Sequence, residues 1–348
     1  MRVVRGVEEG RRALTREPLS GGQSGSPELL EGIRRVFGEA LTPEEAVSRI
    51  IREVSRGGDA AVKEYSRRID GVEPATLELD RKEIARVAAE VPQDTRVALE
   101  RASRRIREFQ ATSLPRTWID MEKGLGEVVT PLERVGVYIP GGSASYPSTV
   151  LMTVITAKVA GVKEVVLVTP PRRGQGPNPL VMAAALLSGV DRVFLVGGAQ
   201  AIAAMAYGTE SIPKVDMICG PGNIFVTLAK KMVYGEVGID GLEGPTETLI
   251  VADESANPAL CAADLLAQAE HDLLATPLLI STSEGLVPLI QKELQRQMKL
   301  LTRQDTIRVS VERRGVIIVV DTLDEALELA SYYAPEHLSL MVKEPWAS

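Results

Sequence analysis

A rhythm between residues 125 and 235 constrains this chain most. Short runs of branched apolar residues alternate there with longer runs rich in alanine and leucine. KEVVLVTPP, Lys163 to Pro171, and DRVFLVGG, Asp191 to Gly198, read as strands apolar on both faces. Such strands suit a parallel sheet covered on both sides. KVDMICGPGN, Lys214 to Asn223, reads as a strand closed by a Gly-Pro-Gly-Asn turn. Helices are predicted over Ser148 to Ala160, Asn178 to Val190, Ala199 to Gly208 and the run IFVTLAKKMVYG. Strands joined closely to helices in this order predict a doubly wound parallel sheet.

Sheets of this kind bind ligands beyond the carboxyl ends of their strands. Those ends are Tyr138 to Gly142, Thr169 to Arg172, Gly197 to Gln200 and Cys219 to Asn223. Glycine lets a backbone approach a bulky ligand, and the helix start that follows favours an anion such as phosphate. A nucleotide site is one reading, and glycines that serve only the turns are the other. Neither GxGxxG nor a Walker motif is present to decide it.

The flanking segments carry a different texture. In LTPEEAVSRIIREV, Leu41 to Val54, Thr42 is placed to cap, Pro43 suits the first helical position, and Glu45 completes a capping box. Ala46, Val47, Ile50, Ile51 and Val54 form the inward stripe. Gly57-Gly58 breaks this helix, a second runs Asp59 to Arg68, and a longer helical region runs Asp80 to Gln110, interrupted at Val91-Pro92. GVEEGRRALTR suggests a short helix, and Ser20 to Glu28 a linker. From residue 239 a second strand–helix series begins. Its strands are Thr248 to Ala252, Pro277 to Ser281, Gly315 to Val320 and Leu338 to Val342, and its helices include Ala259 to Glu270 and Glu284 to Thr302. The expected division is a helical extension at 1–34, a main α/β domain split into 35–130 and 239–348, and an inserted domain at 131–238.

Composition closes several routes. With four Phe, seven Tyr and two Trp, the core must come from Val, Leu, Ile and Ala. A net charge of -7 gives no support for nucleic-acid binding, and Lys and Arg are dispersed apart from surface-like runs such as Arg104-Arg105 and Lys230-Lys231. Cys219 and Cys261 lack metal or CxxC spacing, which fits a reducing compartment. No apolar run approaches membrane-spanning length, and no signal-like segment opens the chain. The expectation is a cytoplasmic protein without membrane partners.

The chain has only two histidines, each beside a carboxylate. In ADLLAQAEHD, Gln268 and His271 stand three apart and share a face if the helix continues. That face can present an amide oxygen and an imidazole to a metal ion or a polar ligand. In YYAPEHLSL, Pro335 suggests that Glu336 and His337 lie near the start of an element, where an acid–base pair can be held. The bland alternative is that each histidine is a satisfied or solvated polar group. The two segments are expected to form halves of one site, with too few donors for a closed metal centre.

VGVYIPGG, YPSTVLMTVITAKVAGV, VGGAQAIAAMAYGTESIPKVDMICGPGN, GPTETLIVAD, LLAQAEHD and APEHL, spread over about residues 45 to 342, together resemble histidinol dehydrogenases. The resemblance implies two incomplete Rossmann-like α/β domains of aldehyde-dehydrogenase-like type. It implies a zinc-dependent homodimer that oxidises L-histidinol to L-histidine through the aldehyde, with NAD+, at the end of histidine biosynthesis. By matching motifs, Glu336 corresponds to the residue that activates water and His337 to the base on the alcohol. Gln268 and His271 correspond to zinc ligands that also touch substrate, Thr246 and His337 to substrate contacts, and Tyr138, Gln200 and Asn223 to NAD-binding residues. The family's remaining zinc ligands, an Asp in a GDY-type motif and a His near the C-terminus, have no counterparts in this sequence, nor has its small C-terminal domain. The expectation is a fragment that binds zinc weakly and turns over poorly. Alternatives are a related dehydrogenase of another small polyol or sulfonated diol, and an inactive dimerisation scaffold. Glu243 departs from the family's small residue there and carries no assigned role.

Overall fold

The computed structural model describes residues 1–16, 27–72, 74–141, 145–172, 174, 176–242, 246–271 and 273–346. The linker expected at Ser20 to Glu28 falls largely outside them, as do Gly142 and Glu243. In chain order the strands are β1 Arg2–Arg5, β2 Trp118–Asp120, β3 Leu125–Glu127, β4 Arg134–Tyr138, β5 Glu164–Thr169, β6 Arg192–Leu195, β7 Met217–Cys219, β8 Gly238–Ile239, β9 Glu247–Ala252, β10 Thr276–Ser281, β11 Val316–Val319 and β12 His337–Met341. The α-helices are α1 Val7–Ala13, α2 Pro27–Phe37, α3 Pro43–Tyr65, α4 Arg81–Ala88, α5 Gln93–Thr112, α6 Pro147–Val159, α7 Pro179–Ser188, α8 Gly198–Tyr207, α9 Ile224–Val233, α10 Pro258–Ala269, α11 Leu286–Met298, α12 Gln304–Arg313 and α13 Leu323–Tyr333. The chain divides into two units, Met1–Gly21 with Gly244–Ser348, and Gly22–Glu243. They are called the terminal and the middle unit.

The middle unit holds a parallel sheet of order β6-β5-β4-β7-β8. The chain winds outward from β4 to β6, then returns to β7 on the other side of β4. Crossing from one direction to the other creates a switch point between β4 and β7. Strand alternation sorts the core into two layers. Val166 and Val168 join Val47, Ile50, Val54 and Ile202 on one face, while Val165 and Leu167 join Ile84, Leu99, Leu151 and Met182 on the other.

That layering corrects the expected division. Residues 35–130 do not belong with 239–348; α3 packs on α8 and α9, α4 packs on α7, and α5 packs on α6 and α7. The reason is the apolar stripe itself. Ala46, Val47, Ile50, Val54 and Val62 are buried, and the face of β5 and β6 is what they cover. The capping box at Thr42 and Glu45 forms as expected, and the helix breaks at Gly58, whose φ of 52° a side chain resists.

The terminal unit repeats the winding. Its sheet has the order β1-β11-β10-β9-β12, every pair parallel, with a switch point between β9 and β12. α10, α11 and α12 cover one face, through Ile250, Leu279 and Ile317, while α1 and α13 cover the other, through Leu249, Leu278 and Ile318. Residues 1–34 are therefore not simply a helical extension. Arg2 to Arg5 pair with Val316 to Val319 as an edge strand before α1 begins. Two half-Rossmann windings thus replace one split domain and one insert. Among the described residues no helix is long and apolar enough to cross a membrane.

Candidate active site

In the terminal unit the candidate residues gather at the amino edge of the sheet, across its switch point. β9 starts at Glu247 and β12 at His337, and His337 lies opposite Thr248 in the register. Pro335 does not begin a helix. α13 ends at Tyr333, its C-cap Ala334 adopts a left-handed φ of 48°, and Glu336 leads straight into a strand. The Glu336 carboxylate is held by its Oε2, which accepts from the Thr246 hydroxyl at 2.9 Å and from the Glu247 backbone N–H at 3.2 Å. The Gln268 side-chain amide in turn donates to Thr246 Oγ1. His337 Nε2 lies 3.6 Å from the other oxygen, Oε1, of Glu336. One carboxylate oxygen is therefore anchored and the other faces an imidazole on an exposed surface. Such a pair can exchange a proton with an alcohol or a water molecule.

His271 departs from its expected place. α10 ends at Ala269 with Glu270 as its C-cap, so His271 lies in the following turn and not on the helix face of Gln268. Its backbone N–H donates to the Gln268 carbonyl at 3.1 Å, and Arg303 donates to the His271 carbonyl at 3.5 Å. It still belongs to the same edge, because the turn runs on into β10, whose first N–H, on Thr276, bonds to the Thr246 carbonyl at 3.0 Å. Thr246, Gln268, Glu336 and His337 are thus drawn into one chain of contacts, and His271 sits on the next turn from Gln268.

Two supporting residues were not legible in the sequence. Glu247 contributes its backbone N–H to Glu336, and its carboxylate is gripped by Arg16 through Nε at 3.0 Å and Nη2 at 2.5 Å. Arg16 also donates to the Ala334 carbonyl at 3.0 Å and stacks over Tyr333 at 4.4 Å. No motif announces this, since Arg16 and Glu247 are far apart in the chain.

In the middle unit the candidate residues lie at the opposite, carboxyl edge. Tyr138 ends β4 and is buried, and its hydroxyl oxygen accepts from Gly198 N–H at 3.1 Å. Burial pushes the Tyr138 phenol up to about 12, so it stays protonated. Gln200, in the first turn of α8, is fully buried; its Nε2 donates to Asp70 at 3.4 Å, and its Oε1 has no hydrogen-bond partner. Asn223 is exposed and caps α9, accepting from Phe225 and Val226 N–H at 3.1 and 3.2 Å. The turn before it approaches closely, since a Cβ on Gly220, at φ 110°, would collide with the Tyr138 carbonyl oxygen. A helix start, a turn with glycines at 220 and 222 and an orphaned buried acceptor fit a dinucleotide, which brings a diphosphate and amide donors.

The metal donor set is thinner. Among the described residues no group of three or more His, Cys, Asp or Glu side chains is placed to hold a metal ion. Gln268 and His271 supply one amide oxygen and one imidazole, short of the four donors that a zinc site takes.

Half-Rossmann windings, a glycine-lined switch point and a Glu–His pair define the class as a dinucleotide-dependent α/β oxidoreductase. The histidinol dehydrogenase family profile matches residues 37–348. The chain is 48% identical over 346 residues to histidinol dehydrogenase of Dehalococcoides mccartyi strain CBDB1, covering 99% of this chain and 78% of that one. It is 46% identical over 352 residues to the Deinococcus radiodurans enzyme, covering 100% and 79%. The crystal structure of histidinol dehydrogenase from Elizabethkingia anophelis superposes with a TM-score of 0.88 at 31% identity, over 99% of this chain and 76% of that one. The chain belongs to the histidinol dehydrogenase family, the NAD-dependent oxidoreductases of histidine biosynthesis.

Proposed function

We propose that L-histidinol is held at the amino edge of the terminal unit's sheet and NAD at the carboxyl edge of the middle unit's. The observation that carries this reading is the fixed Glu336 carboxylate, with Oε2 taken by two donors and Oε1 turned to His337. His337 takes the proton of the substrate hydroxyl as the alcohol is oxidised. Tyr138, Gln200 and Asn223 would hold NAD+, which would supply the hydride acceptor for each of two successive oxidations, alcohol to aldehyde and hydrated aldehyde to acid. Glu336 takes a proton from the water that adds to the aldehyde, and Thr246 and Gln268 keep the carboxylate aimed while it does so. Tyr138, Gln200 and Asn223 line the cofactor crevice, with Asn223 at the diphosphate end because it opens α9.

Single-turnover NADH formation from L-histidinol and from L-histidinaldehyde tests the division of labour. Glu336→Gln should slow the aldehyde step by roughly 10²- to 10⁴-fold, a typical loss for a general base. His337→Ala should fall mainly on the alcohol step. Equal losses in both steps from both variants would overturn the assignment.

Zinc belongs to the same corner in this reading. Gln268 and His271 would supply two ligands and zinc would polarise the substrate oxygen. α10 ends beside this corner, and the negative end of its dipole favours a cation. Zinc titration by calorimetry should show weak binding that His271→Ala removes; binding unchanged in that variant would place the metal elsewhere. A homodimer is the assembly this reading favours. The β2–β3 hairpin supports it, because Ile119, Met121 and Leu125 are exposed on a short two-stranded ribbon. Sedimentation equilibrium tests it, and a monomer at assay concentration would remove it. A cytoplasmic location is supported by the two unpaired cysteines.

A further inference from the structure

Lys230 was read as part of a surface run, and the structure reverses that: it is 2% exposed while its neighbour Lys231 faces solvent. Its Nζ pairs with Asp240 Oδ1 and donates to the Gly220 carbonyl at 3.1 Å. Asp240, just past β8, accepts the Gly220 N–H on Oδ2 at 2.7 Å. One ion pair therefore satisfies both backbone groups of a single glycine. That glycine is the first residue beyond β7, at φ 110°, pressed against the Tyr138 carbonyl. Its conformation takes its peptide groups out of the sheet ladder, and buried backbone groups need partners. The ammonium end of this pair is buried and loses its hydration, a cost that the partly exposed Asp240 carboxylate and the Gly220 carbonyl offset.

We propose that Lys230 and Asp240 are positioning residues for the cofactor. They lock the Gly220–Asn223 turn, and with it the start of α9, in the conformation that receives the dinucleotide's diphosphate. Lys230 does not itself bind phosphate, because its ammonium is enclosed and neutralised by Asp240. The inference rests on the reading that NAD occupies this crevice.

The test is equilibrium binding of NADH, ADP-ribose and adenosine to the full chain, with L-histidinol binding and thermal midpoint measured alongside. In the double variant Lys230→Met/Asp240→Asn, the introduced side-chain amide still offers an acceptor to the Gly220 N–H. NADH and ADP-ribose should weaken on the order of 10- to 100-fold, the scale of a small misplacement. Adenosine and histidinol binding should not change. Asp240→Asn alone, whose single amide oxygen can serve only one of the two partners while Lys230 still donates to the Gly220 carbonyl, covers the case in which the double variant does not fold. It should show the same pattern at smaller size. Equal weakening of all four ligands, or none, overturns the positioning role. Gly220→Ala separates that failure from failure of the crevice reading. If Gly220→Ala abolishes NADH binding and the pair variant does not alter it, only the positioning inference falls. If neither variant alters NADH binding, the crevice reading falls with it.

Discussion

The two units share one winding and carry their candidate residues at opposite edges of it. In both sheets the winding reverses beside the strand from which it sets out, between β4 and β7 and between β9 and β12, and both therefore have a crevice at that join. The middle unit keeps the carboxyl end of the crevice for its candidate cofactor residues. In the terminal unit that end is bridged: Asp253 accepts from Lys343 N–H at 2.9 Å and from Ser255 N–H at 2.9 Å, tying the end of β9 to the end of β12. The Glu–His pair lies at the amino end instead. Helix polarity gives the difference a chemical sense. Helices start at the carboxyl edge and offer unpaired N–H groups to an anion, while helices finish at the amino edge and offer carbonyls to a cation. A diphosphate suits the first edge, and a metal ion or imidazolium suits the second.

The sharpest break would come at Gly220. Replacing it with alanine forces a side chain onto the Tyr138 carbonyl from a left-handed backbone, a strain of about 1–3 kcal/mol before the collision is counted. NADH affinity should fall by roughly 100-fold while histidinol binding by calorimetry is unchanged. Loss of both would mean the edges are not independent. Thr246→Ala should act on the other edge alone. It removes the donor to Glu336 and the acceptor for Gln268, so kcat should drop about tenfold, or ~1–2 kcal/mol, with the NADH dissociation constant unaltered.

Acid should give the smallest contrast. In the middle unit Glu53 is held below the usual carboxylate range by the Tyr65 hydroxyl, and Glu78 by the Arg192 guanidinium. Burial works against Asp59, yet hydrogen bonds from Ser211 and Thr209 outweigh it and lower that group too. Lowered native values mean the unfolded state binds more protons in acid. This contribution is complete above the unfolded carboxylate pKa of ~4, and is lost as pH falls through the native values. Asp253 is similarly lowered in the terminal unit, where burial is outweighed by bonds from Ser255 and Lys343. With more such groups, the middle unit should lose amide protection first as pH drops from about 4 to 3, by hydrogen exchange and mass spectrometry. Simultaneous loss would show that acid does not distinguish the two.

Much of the fold could be read from residue order. β5, β6, α7 and α9 lie within a few residues of their expected bounds, because strands buried on both faces and Asn-capped helices carry their own local signals. The segment α12 was not legible, since TIRVSVERR alternates like a strand and becomes a helix only by packing on α10 and β10. The site was legible in its members and not in its connections. Scarcity picked out His271 and His337, spacing and adjacency added Gln268 and Glu336, and motif resemblance added Thr246. Nothing local showed that Thr246 would bridge Gln268 to Glu336, or that Lys230 would turn inward.

Sequence alone determined most element types, the family and the candidate reactive residues, because each depends on side chains close together along the chain. Tertiary structure decided which unit residues 35–130 join, which edge of each sheet gathers the candidate residues, and which lysine of a pair is buried. Those depend on contacts between residues far apart in the chain, where burial of a shared apolar face or satisfaction of a lone backbone group selects the partner.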